Sequence, residues 1–183
     1  MNTLTDNSIM LKVKAGDLDK IGLLFERYNR PLYGFLFHMT YQRETSEDMV
    51  QQVFYKMLKY RHTFTGSGEV KHWMYSIARN VLKDQVRRKK LAMSGESVEV
   101  VASHVAAGLT PEEHLEKKQA KLALQKAMAR LSEDYREVLT LNKFQELKYH
   151  EIADILGASE TAIRTRVHRA MQELKSIYVR MEQ

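Results

Sequence analysis

Apolar residues recur every three or four positions along most of this chain, the spacing of helices that bury one side. The pattern predicts helices at about 8–15, 17–41, 45–60 and 69–90, and again at about 111–131, 133–144, 149–156 and 160–180. No alternating strand pattern occurs, and Pro31 and Pro111 are the only prolines. Pro31 falls inside the second helix and is expected to bend it. Thr45 and Asp48 have the spacing of a capping box at the start of the third.

Between 93 and 110 the periodicity fails, with Ser94, Gly95, Ser97, Ser103 and Gly108 scattered among Val and Ala. A flexible linker is expected there. Thr110-Pro111-Glu112-Glu113 then supplies a cap, a first-turn proline and a capping-box glutamate in order. The expected fold class is all-α: two small helical domains, 8–92 and 111–180, joined by the flexible linker 93–110. A coil of about 18 residues has an r.m.s. span of about 21–25 Å, so the domains can grip separate sites on one extended partner.

Within the second domain, Tyr149 to Arg169 reads as a helix-turn-helix. Ala153 is small enough for two helices to cross closely. Gly157 suits the left-handed turn that ends the first helix. Ser159 is placed to cap the second, and Ile163 to fold back towards Ile152 and Leu156. Such a unit points to duplex DNA read through the major groove.

Charge and composition narrow this further. Lys and Arg total 29 against 23 Asp and Glu, a formal net charge of +6, which favours a polyanionic partner. The 183 residues are 44% hydrophobic and 28% charged, a globular balance. With no cysteine, disulfides and thiolate metal sites are excluded. The histidines lie in no metal-ligand spacing, and neither a nucleophile elbow nor a phosphate-cradling glycine loop occurs. No catalytic residues, metal or cofactor are expected. The chain lacks an apolar run of the roughly 18 residues a membrane span needs, so no membrane insertion and a cytoplasmic location are expected.

Four faces carry candidate function. On the last helix Ile163, Val167, Ala170, Met171 and Leu174 form the apolar side. Thr161, Thr165, His168, Arg169 and Gln172 face away, flanked by Arg164 and Arg166; these groups suit base edges and phosphates. On the helix 69–90, Val70, Trp73, Met74, Ile77, Ala78 and Val81 form the apolar stripe. His72, Arg79, Lys83 and Lys90 project opposite, a face fit to track phosphates. Arg87-Arg88-Lys89-Lys90 closes the helix, where a basic turn also suits the helix dipole alone. Before that helix the loop 60–68 interleaves Tyr60, Arg61 and Phe64 with two glycines. Its aromatics suit either of two roles, stacking on unpaired bases or plugging the loop from beneath; for Trp73 core packing is the stronger reading. The helix 45–60 turns Asp48, Gln51, Gln52 and Tyr55 outward, a weakly charged face with a tyrosine that suits a protein interface.

In their order along the chain these pieces resemble a bacterial RNA polymerase sigma factor of the extracytoplasmic-function group of the sigma-70 family. Ser46 to Phe54 (SEDMVQQVF) resembles the segment that grips the β′ clamp of the polymerase. Phe64 to Trp73 (FTGSGEVKHW) resembles the loop that captures a flipped promoter base. Trp73 to Asn80 (WMYSIARN), with Asp84 and Arg87, resembles the helix beside the minus-ten element. Leu131 to Leu139 (LSEDYREVL) resembles the start of the domain that reads the minus-thirty-five element. Gln52, Ala162, Val70 and Lys71 depart from residues usual in the family. The resemblance implies core RNA polymerase (β′ clamp and β flap), promoter DNA and an inhibitory anti-sigma factor as partners. A stand-alone helix-turn-helix repressor or activator, and a helical adaptor or anti-sigma-type protein, are the competing readings of the same faces.

Overall fold

The computed structural model describes residues 4–92 and 111–182, and the expected linker together with the Thr110 cap lies outside them. The chain divides into two compact units, the first centred on residues 4–92 and the second on residues 111–153 and 158–182. No strand occurs among the described residues.

The first unit comprises α1 (Asp6–Lys14), α2 (Ile21–Thr40), α3 (Arg43–Lys59) and α4 (Val70–Ala92), with 3-10 turns at Leu18–Lys20 and Arg61–Thr63. Thr5 caps α1 by accepting from the Ser8 amide at 3.2 Å, and Ile9, Met10 and Val13 bury its inner side completely. The single expected helix over 17–41 is interrupted at its start: a 3-10 turn precedes α2. α1 closes with the Asp17 amide reaching back to the Lys12 carbonyl at 3.0 Å, which uses the residues that would have begun α2. From Ile21 the helix runs unbroken through Pro31 to Thr40.

α3 begins at Arg43, two residues before the expected position. The capping box of Thr45 and Asp48 therefore does not form. Thr45 lies in the first turn and its hydroxyl donates to Gln42 Oε1 at 3.1 Å, while Gln42 makes no side-chain cap bond. Ser46 is wholly buried, donating to the Gln42 carbonyl at 2.6 Å and lying 3.0 Å from the Thr40 hydroxyl. Met49, Val50, Val53, Phe54 and Met57 are buried as their spacing predicts. On α4 the buried stripe takes in Tyr75 and Leu82 beyond the expected residues, because α4 packs against α1, α2 and α3, while Trp73, expected within it, is half-buried. Tyr75 meets Phe35 of α2 edge-on, with ring centroids 5.5 Å apart.

The second half of the chain forms α5 (Pro111–Ala129), α6 (Glu133–Leu139), α7 (Tyr149–Leu156) and α8 (Glu160–Glu182), with α8 packed on α5 and α6. The helix expected over 133–144 changes character midway: α6 passes into a π-helical turn, Thr140–Phe144, whose last carbonyl bond joins the Gln145 amide to Thr140 at 3.0 Å. The Arg136 guanidinium donates to the carbonyls of Met128, Ala129 and Leu131 at 3.0, 2.7 and 3.0 Å. Those are carbonyls at and just beyond the end of α5; the Met128 carbonyl also accepts from the Leu131 amide at 3.2 Å. Ile163, Val167, Ala170 and Ile177 form the buried stripe of α8. Met171, expected within it, is 41% exposed. At 100° per residue it falls beyond the edge of the arc that Ile163 to Ile177 covers.

Candidate nucleic-acid and polymerase surfaces

The turn between α7 and α8 is built from backbone chemistry that its residues permit. Lys148 donates its amide to the Glu151 carboxylate at 2.8 Å, which fixes the start of α7. Gly157 has φ +65°, and the Ala158 amide returns to the Ala153 carbonyl at 3.0 Å, the long bond of a Schellman motif. Ser159 then accepts from the Ala162 amide at 3.2 Å and caps α8. Ile152 and Ile163 are both fully buried.

This geometry leaves Thr161, Arg164, Thr165, His168 and Arg169 exposed on α8, with Arg166 half-buried. The exposed groups are not equally available. Arg164 lies 3.1 Å from Glu160 and 5.5 Å from the centre of the Tyr149 ring, and Thr165 donates to the Thr161 carbonyl at 3.0 Å. Arg169 and His168 make no ion pair among the described residues.

In the first unit, His72, Arg79, Lys83 and Arg87 follow one side of α4, the first two half-buried and the last two exposed. Asp84 sits near the end of this side, 3.0 Å from Lys56 of α3 and 3.4 Å from Arg87. The Lys56 hydrogen bond, reinforced by its charge, holds the Asp84 carboxyl below its usual range. In the preceding loop Tyr60 is 41% exposed. Arg61 turns back to donate to the Leu58 carbonyl at 2.9 Å and so closes α3. Phe64 is 4% exposed, its ring centroid 5.4 Å from that of Trp73. Of the two roles open to Phe64, this burial favours the plug. The exposed tip is polar: the hydroxyls of Thr65 and Ser67 lie 2.7 Å apart around Gly66.

On α3, Asp48, Gln51 and Tyr55 are exposed and Gln52 is half-buried; Tyr55 reaches 63% exposure. Beside them opens a hollow of about 470 Å³ lined by Phe25, Arg30, Tyr33, Val50 and Gln51. Phe25, 42% exposed, leans on Phe54 with ring centroids 4.9 Å apart. The α2 side of this surface escapes the sequence reading, because Phe25 and Tyr33 look like core residues until α3 is placed beside them.

Residues 24–91 match the family Sigma-70 region 2, and residues 121–174 match Sigma-70, region 4. The chain is 32% identical to the RNA polymerase sigma factor YlaC of Bacillus subtilis over 163 residues, covering 86% of this chain and 91% of that one. It is 31% identical to the ECF RNA polymerase sigma factor SigM of the same organism, over 86% of this chain and 94% of that one. The sigma factor RpoE of Bartonella quintana, solved in complex with the anti-sigma factor NepR, superposes with a TM-score of 0.68 at 25% identity, covering 85% of this chain and 94% of that one. The chain belongs to the sigma-70 family of RNA polymerase sigma factors, in its extracytoplasmic-function group. No helix among the described residues is long and apolar enough to cross a membrane.

Proposed function

We propose that this sigma factor works as a two-point promoter clamp. Residues 111–180 form the upstream half, in which Thr161, Arg164, Thr165, Arg166, His168 and Arg169 of α8 read the minus-thirty-five duplex. Residues 8–92 form the downstream half, in which His72, Arg79, Lys83 and Arg87 follow the minus-ten backbone and the loop after Tyr60 and Arg61 holds an unpaired base. Asp48, Gln51, Gln52 and Tyr55 dock on the β′ clamp, with the hollow at Phe25 and Tyr33 extending that surface, and the second unit meets the β flap. The observation that carries this reading is the capped turn at Gly157 and Ser159, which leaves the polar side of α8 open within the segment matching region 4.

The energetics allow it. Unstacking DNA is uphill by about 1.4 kcal/mol per step, while a base that stacks on an aromatic side chain, for which Tyr60 is exposed, returns about 1–3 kcal/mol. Melting therefore needs no ATP hydrolysis and no catalytic residue. A cytoplasmic location and a protein inhibitor complete the reading; the likeness to RpoE, solved with an anti-sigma factor, supports the second.

Run-off transcription by core RNA polymerase on genomic fragments tests it. Defined start sites that arise only when this protein is added are expected. Transcription indifferent to it, or tight operator binding without polymerase in a gel shift, would overturn the reading in favour of a stand-alone regulator.

A further inference from the structure

α1 has two working sides. Ile9, Met10 and Val13 face the core. Asn7, Leu11 and Lys14 recur at i, i+4 and i+7, the spacing of a second stripe. Each member of that stripe meets the loop ahead of α4. The Asn7 amide nitrogen donates to the Gly68 carbonyl at 2.9 Å, and its oxygen accepts from the Val70 amide at 2.8 Å. Val70 is the first residue of α4, so Asn7 supplies from another helix the acceptor that a helix start lacks. A Cβ built on Gly66 would lie 3.4 Å from Leu11 Cδ2, so Leu11 lines the middle of the loop. Lys14 Nζ donates to the Phe64 carbonyl at 2.6 Å, a charge-assisted bond.

Along the loop the contacts run antiparallel to α1, with Phe64 at its C-terminal end and Gly68 and Val70 at its N-terminal end. The loop backbone includes Gly66 at φ +79°, a conformation other residues hold only at a cost. Two hydrogen-bonded anchors, with Leu11 placed beside Gly66, thus select one loop shape from the many that a glycine-rich segment can adopt.

We infer that Asn7 and Lys14 are positioning residues for promoter recognition: they hold residues 64–70 in the shape that selects the captured base, without touching DNA themselves. The inference rests on the reading of this loop as the base-capturing element. It predicts a specificity defect confined to the downstream element, because the upstream element is read by the other unit.

Holoenzyme assembled from core polymerase and the full chain is used to select bound DNA from a duplex pool randomised across both promoter elements, and the selected bases are counted. Asn7→Ala and Lys14→Met are expected to reduce the preference at one downstream position about fivefold to tenfold, the size of one net hydrogen bond, with upstream preferences unchanged. Lys14→Arg, which keeps a charged donor, is expected to restore the preference. Hydrogen exchange in the same variants is expected to quicken at residues 64–70 and to stay unchanged in the α3 core, which separates a loosened loop from a misfolded domain. Thr65→Glu is the control for the loop itself, since a negative charge on its tip repels DNA. If Thr65→Glu abolishes downstream selection while Asn7→Ala and Lys14→Met leave it intact, the positioning role is overturned. Equal loss of upstream and downstream selection also overturns it, as a general structural effect. If Thr65→Glu changes nothing, the base-capture reading falls and the positioning role falls with it.

Discussion

The Phe64 ring packs on Trp73 with centroids 5.4 Å apart and the planes inclined by 48°. Trp73 is the only tryptophan of the chain, so tryptophan emission reports on the surroundings of this ring. Phe64→Ala should lower stability by about 3 kcal/mol, the low end for an aromatic truncated in a core, and should shift Trp73 emission to the red. Phe64→Leu, which keeps most of the plug, should recover most of the stability. If promoter opening follows stability through this pair, Phe64 acts by packing. Full stability with lost opening in Phe64→Leu would instead mark the ring as a stacking surface for a base.

The Asp6 carboxylate takes hydrogen bonds from both Arg27 and Tyr28, tying the start of α1 to α2. Burial, then the bond to Asp6 and its negative charge, push the Tyr28 phenol above its ordinary value near 10. The folded chain therefore holds the Tyr28 proton at a pH where the unfolded chain has released it. Stability from this group is fully present below about pH 10, the unfolded value, and declines as pH rises beyond it. Urea melts at stepped alkaline pH should show that decline, and Tyr28→Phe should make it shallower. An unchanged slope in Tyr28→Phe would exclude this residue as its cause.

Arg136 holds the end of α5 through one guanidinium and three carbonyls. Arg136→Met keeps the stem and removes every donor; the Met128 carbonyl keeps the Leu131 amide, so the cost is that of losing the charge-assisted bonds to Ala129 and Leu131, about 2 kcal/mol. Arg136→Lys should recover little, because an ammonium cannot span the three acceptors as the planar fork does. Thermal unfolding of both variants checks this: a lysine variant as stable as the wild type would show that charge, not geometry, holds the end of α5.

The helices are legible because each buries one stripe, and a stripe leaves a periodic trace in the sequence. The recognition turn is legible for a related reason: Gly157 and Ser159 are chosen by the backbone conformation they occupy. What the sequence hides is decided across helices. Thr45 has the spacing of a cap, yet Gln42 and Ser46 draw the start of α3 two residues earlier. The π turn after Leu139 has no composition of its own and places Leu141 and Leu147 in the core. Asn7 and Lys14 bond to backbone atoms about sixty and fifty positions away, and a backbone atom carries no residue type to read. The same limit applies to Phe64, whose aromatic character suits both plugging and stacking until its burial is known.

The exposed side of α8 contains its own brake. Glu160 holds Arg164 at 3.1 Å and places a negative charge beside the groups proposed to meet DNA. An exposed pair of this kind contributes at most about 1 kcal/mol to folding, so breaking it frees Arg164 cheaply. Glu160→Gln should therefore raise affinity for duplex DNA of random sequence while lowering thermal stability slightly, because an acidic residue in the first turn also favours the helix dipole. Arg169→Ala should have the opposite effect on DNA, weakening it and reducing the salt dependence by roughly 0.9 in slope for each phosphate left without its cation. Fluorescence anisotropy of a labelled duplex, titrated with the full chain at several salt concentrations, measures both. Should Glu160→Gln leave affinity unchanged while Arg169→Ala abolishes it, Arg164 does not reach the DNA and the binding surface is confined to the middle of α8.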